Sequence, residues 1–292
     1  MAGTSFKQNP YINPGAAALL GIDLAAIPDE KALCDHPSLV FWGRGRDGFS
    51  SAGWQTRAPN SDAIMVPGNV ALPTQISGIS PDLDLVEGAT IDAAIWEAYN
   101  RNHALRFGQG ATNGHLRLDN GLSVHGDQQF GDFFIWFYGR PGPGDNVYFW
   151  GNNLVPGSGN PGTFFQWTSA GALVLQIGGT QIFNTTALTP AFTSLFADGP
   201  RLVMIGFSDT TNTARIRIDR GLYDKTVGTG NVVNAEGTLR LGCAGPASAG
   251  VADYADLAEF GVHRGFGFDD AGLIALIEKL CGDRYDIPAI AA

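Results

Sequence analysis

The apolar positions of this chain come in short runs at fairly regular intervals, and the pattern is clearest after Gly131. Runs at Phe133 to Tyr138, Val147 to Trp150, Phe164 to Trp167, Ala172 to Ile177, Gln181 to Phe183, Leu202 to Phe207, Ala214 to Ile218, Leu239 to Leu241 and Ala255 to Val262 are mostly separated by turn-forming residues. Short strands bounded by turns predict an antiparallel sandwich or barrel in place of alternating helices and strands. In Arg215-Ile216-Arg217-Ile218 the two residue types alternate strictly, the period of a strand with one buried and one wet face. One element differs in kind. Leu273, Ile274, Leu276, Ile277 and Leu280 recur at helical spacing, with Asp269 or Asp270 placed to cap the start and Gly282 to end it. This predicts a helix over 269–281 with its apolar face against the sandwich.

Upstream the pattern is mixed. A strand is expected at Ser38 to Trp42, a loop-rich stretch to Ser80, a helix at Ile91 to Asn100, and a strand pair at His103 to Phe107 and His115 to Leu118. Residues 1–37 read as an arm, because Asn9-Pro10, Asn13-Pro14, Pro28 and Pro37 punctuate them and only Ala16 to Leu24 offers material for a short apolar helix. Such an arm lies across its own domain or docks on another subunit. The expected division is therefore an arm at 1–37, a sandwich at 38–287 that is clearest at 131–265, and a tail at 288–292.

Composition sharpens this picture. With 292 residues, 44% of them hydrophobic, the chain has ample material for a core, and its 40 glycines and 16 prolines lack the three-residue period of collagen and serve as turn residues. A formal net charge of −10 repels a phosphate backbone unless a basic patch intervenes, and the arginines are scattered, so no nucleic-acid partner is expected. Cys34, Cys243 and Cys281 are too few and too unevenly placed for a disulfide scaffold or a four-ligand zinc site. No apolar run approaches the roughly 20 residues needed to span a bilayer, and Met1 to Pro10 has no signal-peptide pattern, so no membrane insertion is expected.

Three stretches carry a family resemblance: Phe133-Phe134-Ile135-Trp136-Phe137-Tyr138, Leu202 to Leu222 (LVMIGFSDTTNTARIRIDRGL), and Leu257 to Leu280, a strand followed by an Asp-Asp-initiated helix. They resemble the concanavalin A-like, laminin-G-like jelly rolls of bacterial surface proteins and phage virion proteins. The resemblance implies an all-β antiparallel jelly-roll sandwich with a short C-terminal helix, to which the residue pattern adds the N-terminal extended arm. The family's Asp-Gly hairpin here reads Asp219-Arg220-Gly221, one residue longer, which predicts a three-residue turn with Gly221 at positive φ. Lectins, hydrolases, adhesins and structural modules all use this architecture, so the chemistry must come from the residues.

Four sets of residues are candidates. Asp82, Asp84 and Glu87 are similar to the acidic strand of jelly-roll β-glucanases, where a bulge brings the last acid onto the same face for retaining hydrolysis; Pro81 and Gly88 equally bracket the run as a solvated loop. Nucleophilic catalysis has no Gly-x-Ser-x-Gly elbow, and none of His36, His103, His115, His125 and His263 has a spacing that pairs it with a serine or cysteine. Calcium is the one cofactor considered, with oxygen ligands from Asp253, Asp256 and Glu259 or from Asp119, Asn120 and Asp127. Trp150, Asn152, Asn153 and Trp167 combine aromatic faces with amides, as sugar binding requires, although the same residues suit a core and a turn.

The function expected from these features is a non-enzymatic structural or adhesion protein displayed on a virion or similar particle, such as a phage head decoration, head spike or tail-fibre component. It would be made in the bacterial cytoplasm without a signal peptide, contact other virion proteins through the arm, and form homo-oligomers. The alternatives are a carbohydrate-binding module that recognises host surface polysaccharide, and a glycoside hydrolase acting through Asp82, Asp84 and Glu87.

Overall fold

Strand alternation and two helical segments account for the elements seen in the computed structural model, which describes residues 28–45, 49–50, 53–58, 64–67, 104–107, 116–119, 131–142, 147–152, 162–168, 170–184, 195–196, 199–230, 238–242 and 255–288. The helices expected at Ala16 to Leu24 and Ile91 to Asn100 lie outside them. Helix α1 (Pro28–Cys34) precedes β1 (Leu39–Arg44), β2 (Phe49–Ser50), β3 (Gly53–Gln55), β4 (Ile64–Pro67), β5 (Leu105–Phe107), β6 (Leu116–Asp119), β7 (Phe133–Pro141) and β8 (Val147–Gly151). There follow β9 (Phe164–Trp167), β10 (Leu173–Ile177), β11 (Thr180–Asn184), β12 (Arg201–Ser208), β13 (Thr213–Ile218), β14 (Tyr223–Gly228), β15 (Arg240–Leu241), β16 (Ala255–Arg264) and helix α2 (Ala271–Tyr285).

Among the described residues these strands form two antiparallel sheets packed as a sandwich. The first runs β1-β16-β7-β12-β13-β14 with β5 added on β16, and the second runs β11-β10-β9-β8-β15-β6-β4-β3-β2. The core between them takes one face of every long strand. Phe133, Ile135 and Phe137 of β7 alternate inward with Val203, Ile205 and Phe207 of β12, and Phe137 stacks on Phe149 of the opposite sheet at 4.6 Å. Burying each such side chain contributes roughly 1.5–3 kcal/mol. In β16 the register on β7 slips between Leu257 and Glu259, so that Leu257, Phe260 and Val262 all reach the inter-sheet core while Glu259 and His263 point the other way.

That other face of the first sheet is covered by both helices. Leu33 and Cys34 of α1 and Leu273, Ile277, Leu280 and Tyr285 of α2 pack on Trp42, Phe134, Trp136 and Tyr138, with Tyr138 and Tyr285 stacked at 4.0 Å. Under the helices Glu30 of α1 accepts from Arg44 (2.6 Å), Arg57 (2.9 Å) and Arg284. Glu259 accepts from the Trp42 indole (3.0 Å), the Tyr285 hydroxyl (3.0 Å) and Arg284. Arg284 thus joins the two buried carboxylates and clamps both helices to the sheet.

Several expectations change here. The strands expected to pair at 103–107 and 115–118 exist as β5 and β6 but sit in different sheets, β5 on β16 and β6 between β4 and β15. Helix α2 starts where predicted, with the Asp270 carboxylate accepting from the Leu273 N–H, but runs past Gly282 because Arg284 and Tyr285 are held by Glu259; the Gly282 carbonyl accepts a capping bond instead. Residues 28–34, read as part of the arm, form α1 on the domain. The turn at Asp219–Gly221 does place Gly221 at φ +101°, and it leads into β14, which hydrophobic pattern alone did not reveal.

Candidate functional site

The outer face of the nine-stranded sheet gathers polar and aromatic side chains by alternation. Arg117 sits between core residues Leu116 and Leu118, Arg240 between Leu239 and Leu241, and Gln176 between Leu175 and Ile177, so each side chain emerges opposite the core. Register then lines them up across the strands. Val66, Arg117, Arg240, Gly151, Phe164, Gln176 and Gln181 are successive Cα partners on β4, β6, β15, β8, β9, β10 and β11. A second row, Tyr148, Gln166, Val174 and Asn184, runs beside it. Gly151 adds no side chain to the first row, between Arg240 on one side and Phe164 on the other.

Burial makes this face more than a wet surface. Phe164 and Val174 are buried with Tyr148 packed against them, and the Tyr148 and Phe164 rings meet edge to face at 5.4 Å. Burial pushes the Tyr148 phenol above its ordinary value, so it stays a neutral hydroxyl. Gln176 is only 6% exposed, yet its amide Nε2 has no hydrogen-bond partner, and the buried Arg117 Nε and Gln166 Oε1 also have none. Arg240 donates to the Thr238 carbonyl at 2.8 Å. Buried polar atoms without partners are uncommon in folded proteins, and these three leave hydrogen-bonding capacity on the outer face. Arg117, Tyr148 and Gln166 are partly exposed.

The sequence candidates fall elsewhere. Trp150 is wholly buried between the sheets, stacked on Phe165 and edge-on to Phe133, so its ring face is closed to a sugar. A register slip between Tyr148 and Trp150 turns both Phe149 and Trp150 inward. Asn152 is buried too, accepting from the Thr163 N–H in the β8–β9 connection. Trp167 packs on the core side, edge-on to Phe196 at 5.1 Å. Asn153, Asp82, Asp84 and Glu87 lie outside the described residues. The residues that sequence reasoning missed, Arg117, Gln166, Gln176 and Arg240, each show one local signal, a lone polar residue between two apolar ones.

Two further clusters are structural. Among the calcium candidates, Asp256 and Glu259 are wholly buried and bonded to Arg140 and to Trp42, Arg284 and Tyr285. Asp253, Asn120 and Asp127 lie outside the described residues, among which no group of three or more His, Cys, Asp or Glu side chains is placed to hold a metal. Two histidines do meet a serine, contrary to the spacing-based expectation. The Trp136 indole N–H donates to His263 Nε2 (3.2 Å), which sets the His263 proton on Nδ1, donating to Ser38 Oγ (2.9 Å). The Ser38 hydroxyl donates in turn to His36 Nδ1 (2.8 Å), and His36 Nε2–H to Asp270 (3.2 Å). Burial holds His263 neutral, with its value lowered to about 3. This directed chain ties the segment just before β1 to β16 and to the cap of α2.

No family model matches the chain, and no curated protein matches it. Solved structures do. A receptor binding domain superposes with a TM-score of 0.53 at 12% identity, over 87% of this chain and 53% of that one. The binding domain of Paraclostridial Mosquitocidal Protein 1 gives 0.52 at 14% identity, over 86% and 53%. The binding domain of botulinum neurotoxin serotype D/C gives 0.51 at 11% identity, over 84% and 52%. This chain spans about half the length of the solved chains it matches, and the likeness is one of fold, a β-sandwich.

Proposed function

We propose that this chain is a non-enzymatic saccharide-binding domain and that the outer face of the nine-stranded sheet meets the sugar. The observation that carries the proposal is the set of partly exposed side chains Arg117, Tyr148 and Gln166 on that face, beside the Gln176 amide with its unused hydrogen-bonding capacity. A sugar hydroxyl donates and accepts, as an amide does, while the ring's C–H face packs on an aromatic edge or face. The solved structures that share the fold are named as binding domains, which supports a binding role. An oligosaccharide array probed with the whole chain tests the proposal. Gln176→Leu and Tyr148→Ala should each lose most of the binding while keeping the wild-type circular dichroism. Undiminished binding by both variants, or no binding of any sugar at millimolar concentration, would refute it.

Placement on a virion or similar particle belongs to the same proposal, because an adhesive domain needs an anchor. Helix α1 packs on α2, with Lys279 bonded to Asp29 at 2.6 Å, so the segment proposed to reach a particle partner ends before Pro28. A chain lacking residues 1–27 should fold and bind sugar but fail to join the particle; normal incorporation would refute this placement.

A further inference from the structure

We infer that Lys225 keeps the open edge of the first sheet from pairing with a second copy of this chain. The inference stands apart from saccharide binding, since it concerns the other sheet.

Strand β14 ends the first sheet, bonded along one side to β13 and, among the described residues, to no strand on the other. A strand edge is a row of backbone N–H and C=O groups that another strand can complete. This one is held firmly in place. On its outer face Asp224 takes a two-bond fork from Arg215, at 2.7 Å in each bond, and a further bond from Arg217. On its inner face Tyr223 and Val227 pack against the core between the sheets. Between them stands Lys225. Its Cα partner on β13 is the core residue Ile216, and partners across an antiparallel pair share a side, so Lys225 points the same way as Tyr223 and Val227. Lys225 is half-exposed and makes no hydrogen bond or ion pair with the described residues, so the fold itself does not use its charge. A lysine so placed lays its stem along apolar neighbours and keeps its ammonium in water.

Pairing with a second copy would set β14 against β14. The antiparallel arrangement is two-fold symmetric and keeps both inner faces on one side, which limits the registers to steps that preserve the faces. The register that sets Tyr223 against Val227 of the other copy also sets Lys225 against its own counterpart, and like charges directly opposite destabilise a strand pair. The next register one way sets Lys225 against Val227 and takes the ammonium out of water without a partner. The next the other way sets Asp224 against Asp224. No register that pairs most of the strand escapes these costs. The homo-oligomer expected from the sequence would therefore assemble through another surface.

Sedimentation of the whole chain over a range of concentrations tests the inference. Lys225→Val leaves an uninterrupted apolar inner side on β14 and should self-associate about tenfold or more tighter than wild type. Hydrogen exchange at the β14 amides should slow in that associated form. Lys225→Glu restores like charges in the same register and should behave as wild type. An equal mixture of wild type and Lys225→Glu sets opposite charges together and should associate more than either protein alone. The mixture adds no apolar group, so it guards against association through a folding defect. If Lys225→Val associates no more than wild type, or the mixture no more than its components, the inference is overturned. Association of Lys225→Val without slowed exchange in β14 overturns the place assigned to the contact.

Discussion

Replacing Glu30 by glutamine tests the clamp that holds both helices on the sheet. The Glu30 carboxylate is almost fully buried and accepts from Arg44, Arg57 and Arg284, so the substitution leaves three guanidinium groups gathered around a neutral amide. Breaking a buried ion pair on one side typically costs about 3–5 kcal/mol, and because Arg284 keeps Glu259 as a partner the loss here should lie at the lower end. We expect a loss in that range at pH 7, read as a shift of the urea unfolding midpoint by tryptophan fluorescence. Acid supplies an internal control. Burial alone would raise the Glu30 pKa, but the coulombic pull of Arg44, Arg57 and Arg284 outweighs it and holds the value below the ordinary 4.5. Its contribution is therefore fully present above about pH 4.5, where the unfolded chain also carries the charge, and is lost as the pH falls through the lower folded value. The gap between wild type and Glu30→Gln should close in that acid range, since other titrating groups affect both proteins alike. A loss at pH 7 below about 1 kcal/mol, or a gap that stays constant into acid, would refute the clamp.

A Cβ at Gly139 would stand 2.2 Å from the Asp256 carbonyl oxygen, so Gly139→Ala should destabilise the chain by roughly 3 kcal/mol or more in thermal unfolding, and a change under about 1 kcal/mol would contradict the close strand contact. Burial lowers His263 to about 3, while the unfolded imidazole takes its proton near 6.5, so stability should fall as pH drops between those values; His263→Gln should flatten that slope. Gln176→Leu removes a buried unsatisfied amide and should raise stability by about 1 kcal/mol while abolishing sugar binding, a trade-off visible by pairing calorimetry with the glycan array. Trp150→Ala should cost about 3–5 kcal/mol as a core cavity and reduce sugar binding only through the fraction unfolded.

Much of the fold was legible because alternation is a local property. The runs at Phe133, Leu202 and Ala214 became β7, β12 and β13, and the Asp270 cap and the positive φ of Gly221 followed from the chemistry of single residues. Local pattern failed wherever an extra residue was inserted into a strand. Phe149 and Trp150 both face the core, so strict alternation would have turned one of them outward. It failed again over the strand pair near residues 103–118, since nothing within a strand says which sheet it will join.

The sequence by itself determined that the chain builds an antiparallel sandwich with a capped C-terminal helix, because the two-residue period and the cap both act over a few neighbouring residues. The tertiary structure decided the rest. Arg117 meets Arg240, Ser38 meets His263, and Glu30 meets Arg284 only through pairings of residues more than a hundred positions apart, set by register and by the burial of whole faces. Those meetings, which no local period encodes, place the polar row on the outer sheet face and the charged clamp beneath the helices.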